Sequence, residues 1–283
     1  MFLIFDTETT GLPRNWNAPL TDADNWPRCI QIAWQLHDND GSCLFHEDYL
    51  VVPNGFVIPY DAEKIHGIST ALALEEGISL AEVLEKFQQA IAQCEFIGGH
   101  NVGFDLNIMG AEFLRLGDEN PLENFPIIDT CTEETETLCQ LPGGRGGKFK
   151  LPTLSELHHH IFEAPFEEAH NATADVEATT RCFFELFRKG LIRPEALKNR
   201  EDILQHLTEV LDEPVKGIGL KHRNLKDASK QLLASSETPE EPSKTITDAE
   251  EEILQNTPFV HLHTHSQYSV LQSTSRIKDL VKA

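Results

Sequence analysis

The hydrophobic pattern changes period several times along the first 190 residues, and each change marks an element. Met1 to Phe5 is an apolar run of strand formers, with Asp6 and Glu8 at its end. Cys29 to His37 and Ser42 to Val52 predict two further strands. His37 to Gly41 between them is turn chemistry, so the three make an antiparallel meander. The pattern then turns helical. Asp61 to Ile68 predicts a short helix ending near Gly67, and Ser79 to Ala92 sets Leu80, Val83, Leu84, Phe87 and Ile91 on one face. Short strands at Glu95 to Gly98 and Pro126 to Ile128 alternate with helices over Gly103 to Leu116, Thr153 to Phe162 and Asn171 to Lys189, the last ended by Gly190. This order predicts an α/β fold, a mixed sheet with helices on its faces.

The stretch from Leu12 to Arg28 interrupts the pattern with Pro13, Pro19, Pro27, Trp16 and Trp26. A connection of this length often borders a functional edge. Either tryptophan could stack on a base, with packing of the loop the preferred reading. The run His158-His159-His160 reads as surface histidine on its helix. Composition shifts near Gly190. Residues 191–256 read as a helical segment, clearest at Glu201 to Leu211, followed by an acidic flexible linker rich in Ser, Pro and Thr from Ser235 to Glu252.

Charge narrows the function. Lys and Arg number 23 against 46 Asp and Glu, a net charge of −23. That argues against a broad basic surface for long nucleic acid, while an enzyme that grips only a chain end through metals remains compatible. Six cysteines include no C-x-x-C pair, so no zinc or redox motif is implied. The amino terminus lacks signal-peptide character and no apolar run reaches membrane-spanning length, which predicts a soluble protein of the reducing cytoplasm, with no membrane partner.

The candidate chemistry is carboxylate-rich. Asp6 and Glu8, two apart on extended backbone, point the same way. Asp105 and Asp175 each lie in the first turns of a predicted helix, and all four could converge at one end of the sheet. Such a cluster is intolerable without cations, and hard divalent ions such as Mg²⁺ take oxygen ligands. Two ions roughly 3.5–4 Å apart would suit in-line phosphoryl displacement, with a nearby histidine as base.

Three segments in order, FDTETTG from Phe5, HNVGFD from His100 and HNATAD from His170, resemble the three exonuclease motifs of the DEDDh 3′–5′ exonucleases. They are most similar to those of the epsilon-type proofreading exonucleases of bacterial DNA polymerase III. The likeness covers residues 1–190 and includes CIQIAW, IHGI and IIDT. The tyrosine subclass would carry Tyr four before Asp175, where Asn171 stands. The resemblance implies an RNase H-like fold with a five-stranded mixed sheet. It also implies two divalent metal ions, Mg²⁺ or Mn²⁺. Asp6 would bridge both ions, Glu8 and Asp175 would bind the one that activates water, Asp105 would support the other, and His170 would be the general base. Thr7, His66 and Phe104 match positions that bind the terminal nucleotide, with a structural role the alternative for His66 and Phe104.

Around these, His100 and Asn101 read either as hydrogen-bonding support or as substrate contacts, and Asp129 reads as a helix N-cap. Gly143 to Lys150 is a glycine-rich basic island, either a loop contacting phosphates or a plain flexible loop. Residues 257–283 resemble the incomplete start of a polymerase III alpha-type PHP domain, with His263 and His265 matching its first H-x-H pair. That ending implies a polymerase III alpha subunit as partner, possibly in the same chain. The resulting expectation is a metal-dependent 3′–5′ DNA exonuclease acting in proofreading on single-stranded or frayed 3′ ends and releasing nucleoside 5′-monophosphates. The alternatives are an exoribonuclease of RNase T or oligoribonuclease type and a non-catalytic polymerase adaptor.

Overall fold

The computed structural model describes residues 1–166, 170–198, 200–220 and 223–236, which lie in one compact unit, Met1–Ser236. Ser235 and Ser236 of the expected acidic linker belong to a helix, Leu225–Ser236, while the rest of that linker, from 237, and the PHP-like stretch 257–283 lie outside the described residues. The expected meander is present. Strand β1 (Phe2–Thr9) pairs antiparallel with β2 (Cys29–His37), and β2 antiparallel with β3 (Cys43–Leu50). On its other edge β1 pairs parallel with β4 (Phe96–Gly99), and β4 parallel with β5 (Ile127–Asp129). The order β3-β2-β1-β4-β5 makes a five-stranded mixed sheet with β1 at its centre. β1 runs past its apolar run because Asp6, Thr7 and Glu8 continue the ladder with Ala33, Ile32 and Gln31.

Alternation along β1 sends its residues to two helical layers. Leu3 and Phe5 pack with Trp34 of β2, with Val83 and Phe87 of α3 (Leu80–Ile91), and with Ile108 and Met109 of α4 (Gly103–Leu116). Phe2 and Ile4 pack against Phe183, Phe184 and Phe187 of α7 (Ala172–Arg188). Gly98 is required in β4, because a Cβ there would lie 2.6 Å from the Phe183 ring. The expected helices are present, including α1 (Tyr60–His66), marked by its closing Gly67 and not by a repeat, α6 (Leu154–Phe162) and α8 (Glu201–Val210). Three more lacked a legible pattern: α2 (Thr70–Glu76), α5 (Glu133–Cys139) and α9 (Leu225–Ser236). The first two span only about two turns each, too few to set up a 3.6-residue repeat.

Two expectations are corrected. His158 is not a surface residue: it is 1% exposed, its Nδ1 bonded to the Ala164 carbonyl and its Nε2 to Arg181. The face that α6 turns toward α7 includes this member of the histidine run. Asp129 is not a helix N-cap, since Thr132 caps α5. Asp129 Oδ1 instead accepts the amides of Asn101 and Cys131, at 2.8 Å each, and so ties the entry to α4 to the end of β5.

The long loop splits the two tryptophans. Trp26 is 3% exposed with its indole N–H on the Pro19 carbonyl, whereas Trp16 is 54% exposed and meets the Phe104 ring at 5.8 Å. Arg115 of α4 holds the loop from beneath through the carbonyls of Ala23 and Trp26. Among the described residues no helix is long and apolar enough to cross a membrane.

Candidate active site

The alternation that builds the core also distributes the chemistry. Extending the period of two, Asp6 and Glu8 fall on the α7 face of β1 with Phe2 and Ile4, and Thr7 falls on the α4 face with Leu3 and Phe5. Each helix carries one acid in its first turn, Asp105 on α4 and Asp175 on α7. That position also favours a carboxylate through the helix dipole. Asn171 caps α7 by accepting the Thr173 amide at 3.1 Å, and Gln31 of β2 accepts the Ala172 amide at 3.2 Å, fixing the helix start beside β1.

Thr7 meets Asp105 directly. Its amide and its hydroxyl both donate to Asp105 Oδ1, at 3.0 and 2.6 Å. The Thr7 side chain, placed with the terminal nucleotide by resemblance, is thus buried and committed to orienting a carboxylate. His170 stands just outside α7 at φ 72°, exposed, with its amide on Asp175 Oδ2 at 3.1 Å. Ligand atoms of Glu8, His170 and Asp175 lie within 4.8 Å of one another. His66 is buried, accepts the Ile68 amide at Nδ1, and has its pKa lowered to about 4, first by burial and then by His170 and Lys226. Phe104 is half-buried beside Trp16 and directly precedes Asp105. His100 is engaged at both ring nitrogens, by Thr130 Oγ1 at 2.9 Å and the Pro152 carbonyl at 3.1 Å. It supports the loop under α4. The Gly143–Lys150 island is drawn back on itself, with Lys150 paired to Glu156 at 2.6 Å.

Burial and mutual repulsion set the protonation of this cluster. Burial, then Asp105, Asp175 and Glu8, pushes the Asp6 pKa well above the usual carboxylate range. Glu8 is pushed up to about 8 by burial and by Asp175 and Asp105. Burial raises Asp105 and Asp175 to about 7 each, against hydrogen bonds from Thr7 and from His170 that lower them. Four crowded carboxylates whose charged forms are this disfavoured could serve as a donor set for hard divalent cations, which would replace the protons.

Between about pH 6.5 and pH 8 these four groups hold more protons in the folded state than in the unfolded chain, whereas below it His37, His66 and His100, each lowered to about 4 chiefly by burial, hold fewer and oppose them. Metal-free stability falls as pH rises through that window. Melting curves should show a metal-free Tm that drops from about pH 6.5 to pH 8, with Mn²⁺ raising Tm more at the upper pH. Thr7→Val should weaken the apparent metal affinity about 10–100-fold in titrations of activity against Mn²⁺, as lost outer-shell hydrogen bonds do, and Thr7→Ser should restore it.

Residues 3–183 match the exonuclease family of RNase T type. The chain belongs to that family. Among its relatives, the PolC-type DNA polymerase III of Pediococcus pentosaceus is 27% identical over 208 residues, which is 74% of this chain and 13% of that protein. A DNA polymerase III subunit epsilon-like protein of Rhodobacter capsulatus is 30% identical over 190 residues, 65% of this chain and 23% of the relative. E. coli exonuclease I in complex with a dA16 oligonucleotide is structurally similar, with a TM-score of 0.52, 21% identity, and coverage of 70% of this chain and 42% of that one. At that identity the likeness bears on the fold, which is the RNase H-like arrangement expected. The chain thus spans less than half the length of these proteins. Outside the three motifs, Trp16 stands beside Phe104. Its signal was a tryptophan flanked by Asn15 and Asn17 in an overlong loop, and exposure next to Phe104 singles it out.

Proposed function

We propose that this chain is a metal-dependent 3′–5′ exonuclease that hydrolyses the terminal phosphodiester of single-stranded or frayed DNA and releases nucleoside 5′-monophosphates. The observation that carries the reading is the gathering of Glu8, His170 and Asp175 beside Asp6 and the Thr7-held Asp105. Asp6, Glu8, Asp105 and Asp175 would hold two divalent ions, Mg²⁺ or Mn²⁺. When bound, such ions supply a nucleophilic water at neutral pH and charge for the leaving oxygen. His170 accepts the proton of the attacking water at an imidazole nitrogen. Its exposure lets it reach that water, and the hydrogen bond its backbone N–H donates to Asp175 Oδ2 fixes where the ring starts.

The terminal base lies against Phe104, with Trp16 extending the aromatic surface toward the next base. Stacking of this kind is tolerant of sequence, as removal of any mispaired end requires. DNA is favoured as substrate because exonuclease I, with the same fold, is known in complex with DNA oligonucleotides. A proofreading role and a polymerase III alpha-type partner are supported by the PolC-type and epsilon-like relatives. Such a partner would keep an acidic exonuclease at the primer end by effective concentration.

Matched 5′-labelled DNA and RNA strands incubated with Mg²⁺ or Mn²⁺ test the assignment. A DNA ladder shrinking from the 3′ end, with slower loss of RNA and none with chelator, is the expected result. Faster trimming of RNA, or cleavage that survives chelation, overturns it.

A further inference from the structure

The family match ends at residue 183, yet the described chain returns to the active site some forty residues later. Helix α9 packs Leu225 and Ala228 into the apolar cluster formed by Ile58, Ala62, Ile68 and Leu72 around α1 and α2. Ser229 locks the contact. Its buried hydroxyl donates to the Gly67 carbonyl at 2.7 Å and accepts the Ser69 amide at 3.0 Å. Gly67 permits the approach, because a Cβ there would lie 2.7 Å from the Lys226 amide nitrogen. On the other side the Arg223 carbonyl accepts from the Asn171 side chain at 3.3 Å, directly beside His170.

These ties put the start of α9 into a pocket of about 110 Å³ shared with His66 and His170. Two of the side chains that line it, His66 and Lys226, offer donors. His66 Nδ1 accepts the Ile68 amide, so the ring proton sits on Nε2, which is buried and has no partner among the described residues. Lys226 is exposed and lies between two paired neighbours, Arg223 with Glu76 and Lys230 with Asp227, and has no ion-pair partner of its own among the described residues. A buried unmet N–H, an unpaired ammonium and the first turn of a helix suit an anionic oxygen.

We propose that Lys226, carried on α9, binds a phosphate group at the mouth of the active site, so that the segment beyond the exonuclease match is part of the substrate-binding surface. The proposal rests on the phosphodiesterase reading above. Two sources share the chemistry: a backbone phosphate of the bound strand and the phosphate of the released nucleotide.

Steady-state kinetics of the full chain on a single-stranded dT oligonucleotide, across a salt series and with thymidine 5′-monophosphate as inhibitor, separate them. Lys226→Gln should raise KM about tenfold with kcat retained, the size of one charge-assisted contact. It should also lower the slope of log(kcat/KM) against log salt by about 0.7, one phosphate contact on a single strand. Lys226→Arg should restore both. Ser229→Val, which frees α9 without touching the pocket, should reproduce the rise in KM. A raised KM with unchanged inhibition by the monophosphate assigns the strand phosphate, and weaker inhibition alone assigns the product. Wild-type KM, salt slope and inhibition in Lys226→Gln overturn the inference. A wild-type chain that degrades no oligonucleotide overturns the exonuclease reading instead.

Discussion

Asp6→Asn should abolish metal-dependent cleavage and, without metal, should make the protein more stable. Asp6 lies between Glu8, Asp105 and Asp175, and its carboxylate is destabilised by burial and by all three. A neutral amide of the same shape removes that repulsion. The metal-free Tm should rise by about 2–4 °C at pH 8, the shift that ~1 kcal/mol produces at this size. The same change removes one of the four carboxylates proposed to hold the ions. Transition-state stabilisation worth several kcal/mol goes with it, a loss of roughly 10³-fold or more in kcat. Mn²⁺ should then no longer raise Tm as it does in the wild type. Activity and melting temperature measured side by side check both halves. A variant that is inactive yet less stable than the wild type without metal would show that Asp6 is a structural residue. Retained activity would remove it from the chemistry.

Glu112→Ala unfolds the support of the site rather than its chemistry. Glu112 is fully buried on α4, and its Oε1 accepts from Arg28 Nε and the Cys29 amide, at 2.9 Å each, and pairs with Arg115 at 3.1 Å. Arg115 in turn holds the loop that carries Trp16. Truncating one member of a buried ion pair leaves the others uncompensated, which costs about 3–5 kcal/mol. Chemical denaturation should show that loss, and Tm should fall by roughly 10 °C. Glu112→Gln keeps the acceptor for the Cys29 amide and should lose less. A stability change under 1 kcal/mol for the alanine variant would mean that solvent takes over the role of Glu112.

Much of the sheet is legible from local pattern. The bounds of β2 and α4 coincide with the runs that predict them, because each is a long stretch of one period closed by turn residues. The carboxylate set is legible for another reason, its ordered spacing in three motifs. Three features are not legible. α2 and α5 are each seven residues long and present no repeat. His158 looks like its two neighbours in sequence, and only the packing of α6 on α7 separates it from them. Trp16 and Trp26 share one loop and one composition, yet one is buried and the other is exposed beside Phe104.

The α/β order, the acidic character and the residue types available for metal chemistry follow from periodicity, charge and spacing along one dimension. The tertiary structure decided what each residue faces. β1 alternation turns Thr7 to Asp105 while it turns Asp6 and Glu8 to the α7 layer. Return of α9 to α1 and α2 brings Lys226 to His66 across a separation of 160 residues in chain, as Ser229 meets Ser69. Such contacts depend on how faces of separate elements meet, and no local window of sequence contains both partners.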